Sequence, residues 1–128
     1  MDIEKRVYLI CPVRNITEKE KAVLDRYVRI LEHKGYKVHY PPRDVNQNDS
    51  IGMNICSSHR DAMNWCTEVR AAWNPESQGS VFDFGMTFFS QKPFKLANKR
   101  RIENWLKEHP GKSYPNVAYE LNKMYNSK

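Results

Sequence analysis

Val69-Arg70-Ala71-Ala72-Trp73-Asn74-Pro75-Glu76-Ser77-Gln78-Gly79-Ser80-Val81-Phe82-Asp83-Phe84-Gly85 reads as strand, polar loop and helix start. The short run Val69 to Trp73 ends in turn chemistry, and Val81 to Phe89 is apolar at helical length. The first N–H groups of such a helix have no partner within it and point outward, a ready site for an anion. Ser77 and Ser80 add hydroxyl donors, and Gly79 lets a ligand approach the backbone. Asp83 falls one turn into the helix, beside that site.

Working outward, the same alternation fills the chain. Val7 to Cys11 is continuously apolar, as in a strand buried on both faces. Thr17 and Glu20 have capping-box spacing. The helix that follows carries Val23, Leu24, Tyr27, Val28 and Leu31 at i, i+3, i+4 spacing and stops at Gly35. Tyr36 to Tyr40 is a second strand, closed by Pro41-Pro42. Arg43 to Gly52 is a polar, Asn/Asp-rich loop and a candidate lid or binding loop. A helix over Asn54 to Cys66 turns Ile55, Ala62, Met63 and Cys66 inward. After the third strand and the helix from Ser80 to Gln91 come a fourth strand, Phe94 to Ala97, and helices over Arg100 to Glu108 and Asn116 to Tyr125. This β-α-β-α-β-α-β-α order predicts an α/β fold: a single-domain, Rossmann-like or flavodoxin-like parallel sheet flanked by helices, spanning residues 1–128. Ligands of such sheets bind beyond the C-terminal strand ends. There the loops Pro12 to Thr17, Pro41 to Gly52 and Asn74 to Gly79 converge.

Length and composition agree. A chain of 128 residues buries roughly two-thirds of its unfolded surface. No stretch is long enough to span a membrane, and a charge at the second residue argues against a secretory signal. Three cysteines, Cys11, Cys56 and Cys66, are an odd number; Cys11 and Cys66 fall in or beside apolar runs and read as buried free thiols, which fits a reducing cytoplasm. Cys56-Ser57-Ser58-His59 has the spacing of half a zinc site with no second half, so neither metal nor cofactor is expected. The four histidines show no cluster in the sequence and receive no catalytic role. The net charge of +6 collects toward the C-terminus and favours anionic ligands. No nucleic-acid motif accompanies it, and a solvated lysine-rich surface accounts for it equally well.

Several of these pieces resemble the nucleoside 2-deoxyribosyltransferase-like superfamily, above all its nucleoside 5′-monophosphate N-glycosidases. Val7-Tyr8-Leu9-Ile10-Cys11-Pro12-Val13-Arg14 is similar to the family's first strand, with its tyrosine and loop arginine. His59-Arg60-Asp61 resembles the Arg-Asp pair in the helix before the third strand. Ser77-Gln78-Gly79 through Asp83-Phe84-Gly85 resembles the S-x-G…E-x-G segment that carries the nucleophilic glutamate. The resemblance implies Asp83 as nucleophile, Tyr8 as the group orienting it, Ser77 and Gly79 as holders of the 5′-phosphate, and Arg14 as a contact to the phosphate or the sugar; Ser80, read from the loop, completes the anion-binding set. It places Arg60 among the substrate-binding residues, and Asp44, in the polar loop, joins them as a sugar or base contact. It also implies a homodimer or larger homo-oligomer whose neighbouring subunit closes the pocket.

Two positions depart from the pattern. Aspartate replaces glutamate at Asp83, shortening the reach by roughly 1.5 Å, a misplacement worth on the order of a hundredfold in rate. Alignment from Asp83 sets Thr67 where the family carries an aspartate thought to assist the departing base, with Asp61 or Asp44 as substitutes.

Cleavage of an N-glycosidic bond passes through an oxocarbenium-like centre that a carboxylate can capture as a glycosyl ester. The expectation is therefore an N-glycosidase or deoxyribosyltransferase acting on a nucleotide or nucleoside, with a 5′-phosphate favoured. A non-catalytic nucleotide-binding protein on the same scaffold is the alternative. The residues also have plain structural accounts. Asp83 near a helix N-terminus meets the macrodipole favourably, and serines in the preceding loop cap helices.

Overall fold

A computed structural model describes residues 4–127. Four strands, β1 (Arg6–Ile10), β2 (Lys37–His39), β3 (Glu68–Ala71) and β4 (Phe94–Leu96), form one all-parallel sheet in the order β2-β1-β3-β4. The helices among the described residues are α1 (Glu18–His33), α2 (Pro41–Asp44), α3 (Met53–Trp65), α4 (Gln78–Ser90), α5 (Lys99–Glu108) and α6 (Tyr114–Asn126). The α/β fold expected from the alternation is the fold observed. No helix is long and apolar enough to cross a membrane among the described residues.

Strand parity sorts the core into two layers. Val7, Leu9 and Val38 face α1 and meet Leu24, Val28 and Leu31. Tyr8, Ile10, Val69, Ala71, Phe94 and Leu96 face the other way, toward Ala62 and Met63 of α3, Phe84 of α4, Ile102 of α5 and Ala118 and Leu121 of α6. β1 is central and covered on both faces, which is why it is continuously apolar. β3 alternates instead. Its Val69 and Ala71 are buried, while Glu68 and Arg70 pair at 3.0 Å on the α1 side, where Arg70 also reaches the Tyr27 hydroxyl.

The local signals are realised with small differences. Thr17 and Glu20 form both halves of the capping box, and the chain leaves α1 through Gly35 at φ +96°. Val23, in the expected apolar stripe of α1, is 63% exposed, because the stripe that packs is Leu24, Val28 and Leu31. The Pro41-Pro42 pair does more than close β2. It starts α2, since a proline at the first helical position has the right φ and lacks a donor that would go unpaired there. Part of the segment expected as loop is therefore helical, pinned by Asp44, whose carboxylate accepts from the Tyr40 N–H at 2.8 Å. Lys92, counted in the sequence as basic surplus, donates to the Met63, Asn64 and Cys66 carbonyls at the end of α3. On the outer edge of β4, Asn122 accepts from the Leu96 N–H at 2.8 Å and Asn126 donates to the Phe94 carbonyl, so α6 closes that edge to further pairing.

Candidate active site

The strand order reverses between β1 and β3: the chain leaves β1 toward β2, and leaves β3 toward β4. Loops beyond these strand ends diverge and leave a crevice. A cleft of about 730 Å³ lies there, lined by Cys11 to Asn15 after β1, Pro41 and Gln47 after β2, and Asn74 and Glu76 to Gly79 after β3. Ile55, Cys56 and His59 of α3 and Phe82 and Asp83 of α4 complete it.

The rim is built by the start of α4. This helix begins at Gln78, two residues before the expected start at Ser80, because Ser77 caps it: the Ser77 hydroxyl accepts from the Ser80 N–H at 3.2 Å. The Ser77 O–H proton is left to donate, and the N–H groups of Gln78 and Gly79 belong to the unpaired first turn. Both roles weighed for Ser77, cap and anion donor, are thus available together. A side chain at Gly79 would meet only Ser77 Oγ, at 3.8 Å, so the protein itself leaves that space open. Arg14, exposed on the opposite loop, lines the same cleft.

The floor is acidic and buried. Asp83 is only 6% exposed, and burial pushes its carboxyl from 3.8 up to about 7, against the lowering effect of a hydrogen bond from Tyr8. Tyr8 is fully buried on β1, and burial together with the neighbouring Asp83 drives its hydroxyl far above its ordinary value. Its shortest partner is His59 Nδ1, at 2.7 Å. His39 lies beside Tyr8 in the β1–β2 register, its ring 5.0 Å away and 5.8 Å from the His59 ring. The histidines left unassigned in the sequence do cluster: two of the four surround Tyr8.

Of the residues singled out from the sequence, Asp83, Arg14, Ser77 and Gly79 share the cleft, and Tyr8 lies beneath it. The others lie elsewhere. Ser80 faces the interior with its hydroxyl buried and unpartnered. Arg60 is on the solvent side of α3, 3.8 Å from Asp61. Asp44 is held by Arg43 at 2.7 Å and by the Tyr40 N–H. Thr67 precedes β3 and exchanges hydrogen bonds with Arg6, at the strand ends opposite the cleft. Thr67 therefore does not line the cleft. Ile55, expected inward, is half-buried on the cleft wall. Cys56 and His59 lie one helical turn apart, and no third donor joins them among the described residues.

No protein-family model matches the sequence, and no curated relative does. Among solved structures the chain is similar to a Clostridium botulinum CMP N-glycosidase, BcmB. The two are 26% identical, the match covers 72% of this chain and 67% of that one, and the TM-score is 0.52.

Proposed function

We propose that this protein is an N-glycosidase, or a deoxyribosyltransferase, that breaks the base–sugar bond of a 5′-phosphorylated nucleoside. The observation that carries this reading is a buried carboxylate, Asp83, on the floor of a cleft whose rim offers unpaired helix N–H groups and Arg14. The likeness to a CMP N-glycosidase supports it. The phosphate would sit against the Gln78 and Gly79 N–H groups, the Ser77 hydroxyl and Arg14, which line the same cleft. The sugar then extends toward Asp83. Its ionised carboxylate attacks C1′, the base departs, and water or a second base takes the sugar from the ester.

The test is a panel of ribo- and deoxyribonucleoside monophosphates and free nucleosides, scored for released base. Release from monophosphates is expected to exceed release from the matching nucleosides. Arg14→Ala is expected to lower kcat/KM on monophosphates about 10- to 100-fold, the ~1.5–3 kcal/mol of a charged hydrogen bond, and to leave nucleosides unaffected. Equal losses on both would remove Arg14 from the phosphate site. Absence of release across the panel, with and without an acceptor base, would favour a nucleotide-binding protein without turnover.

A homo-oligomer belongs to the same reading. The outer face of α4 exposes Phe82 (49%) and Phe89 (90%), and Phe82 also lines the cleft. Apolar surface continuous with a binding site is suited to cover by a second copy of the chain. Sedimentation velocity is expected to find a dimer or larger species that Phe89→Ser weakens; a monomer at high micromolar concentration would overturn this.

A further inference from the structure

His59 is positioned for more than packing. Its Nδ1 is held by the Tyr8 hydroxyl at 2.7 Å, its ring forms part of the cleft wall, and its Nε2 takes no protein partner among the described residues. Asp83 is the second neighbour of the same hydroxyl. A phenol has one proton, so it donates to one of these neighbours and accepts from the other. With Asp83 protonated, the bonds run one way: the Asp83 O–H donates to Tyr8, and the Tyr8 O–H donates to His59 Nδ1. The proton of the imidazole is then on Nε2, on a ring that lines the cleft.

We propose that His59 is the catalytic acid and base of this site, protonating the departing base and then deprotonating the attacking water, and that Tyr8 is a positioning residue that links its proton to Asp83. This rests on the glycosidase reading above. In the first step Tyr8 passes its proton to His59 Nδ1 and takes the one on Asp83. The pair becomes carboxylate and imidazolium with no proton drawn from solvent. A carboxylate oxygen bonds to C1′ as the C1′–N bond breaks. The electron pair goes to the base, which takes the Nε2 proton. In the second step His59 Nε2 accepts a proton from water as the water oxygen bonds to C1′ and Asp83 leaves as carboxylate. The imidazolium proton then returns to Asp83 through Tyr8. The products are the free base and the sugar phosphate, with one water consumed.

The surroundings fit this exchange. The rings next to His59 are Tyr8 from β1 and His39 from β2, Asp83 of α4 shares Tyr8 with it, and the titratable groups lining the same cleft are Cys11, Arg14, Cys56 and Glu76. Burial, and then the Asp83 charge, pushes Cys11 up to about 12. Burial, and then His59, lowers His39 to about 4, so it stays neutral. Burial also lowers His59, which sets the resting proton on Asp83.

His59→Asn keeps a hydrogen-bonding group near the Nδ1 position and removes the acid. The readout is single-turnover base release, which follows the first bond cleavage alone. On a nucleoside monophosphate the rate is expected to fall about 10²–10⁴-fold. On p-nitrophenyl ribofuranoside 5-phosphate, whose phenolate leaves without a proton, it is expected to change only a few-fold, whereas Asp83→Ala lowers both. Equal loss on the two substrates by His59→Asn would overturn the acid role. A wild type that cleaves neither would overturn the glycosidase reading itself. Histidine ¹⁵N NMR reads the linkage without turnover. The neutral Nε2–H form is expected for His59 in the wild type and not in Tyr8→Phe, and an Nδ1–H form indifferent to Tyr8→Phe would overturn it.

Discussion

Asp83→Ala is expected to abolish base release, lowering kcat on the order of 10⁴-fold or more, as loss of a nucleophile does, while nucleotide binding persists. The separation follows from where the groups are. In the proposed mode the phosphate contacts would come from Arg14 and the start of α4, which line the cleft together with the buried Asp83. Removing the carboxylate deletes the atom that bonds to C1′ and leaves the anion site intact. The protonated resting carboxyl adds no charge to the site, and any fraction that ionises repels the phosphate, so affinity for the nucleotide is expected to hold or rise. Chromatography of released base with the variant beside the wild type, and calorimetry with an uncleaved nucleotide, check the two halves. Retained turnover in the variant would dismiss Asp83 as nucleophile. Unchanged turnover with lost binding would recast it as a ligand contact.

The frame of this site was legible because it is written in local signals. A capping box, glycine and proline stops, and apolar runs of strand and helix length give the order of elements, and the order alone brings three loops to one sheet edge. Asp83 and Ser77 were legible for the same reason: their places relative to the α4 start are fixed within a few residues. The Tyr8–His59–His39 cluster was not. Tyr8 and His59 are 51 residues apart, and their meeting depends on how α3 crosses the sheet. The available signal was parity. Tyr8 and His39 occupy the same register position on adjacent strands, hence the same face. Helical phase likewise separates His59, which points in, from Arg60, a hundred degrees around the helix and solvated. Strand polarity places Thr67 at the end of the sheet opposite the cleft, a point that alignment by spacing passes over.

Stability is expected to move the opposite way to activity when Asp83 becomes asparagine. The carboxyl has an ordinary value of 3.8 and is pushed to about 7 in the fold. The folded chain therefore holds this proton more tightly than the unfolded chain. The resulting contribution is fully present below pH 3.8 and is lost as pH rises through about 7. By pH 8 the fold contains a buried carboxylate whose ionisation costs up to ~4 kcal/mol. Asparagine has nearly the same shape, can donate to Tyr8 through its amide as the protonated acid does, and never ionises. Asp83→Asn is thus expected to be more stable than the wild type at pH 8, by up to that amount, with the difference closing toward zero near pH 4. Paired denaturant titrations at the two pH values measure it. A variant no more stable than the wild type at pH 8 would mean that Asp83 is well solvated or well paired when ionised, which would undercut its raised value. The expected gain has a functional reading. It would fit a carboxyl group that costs stability at the place where the proposed chemistry uses it.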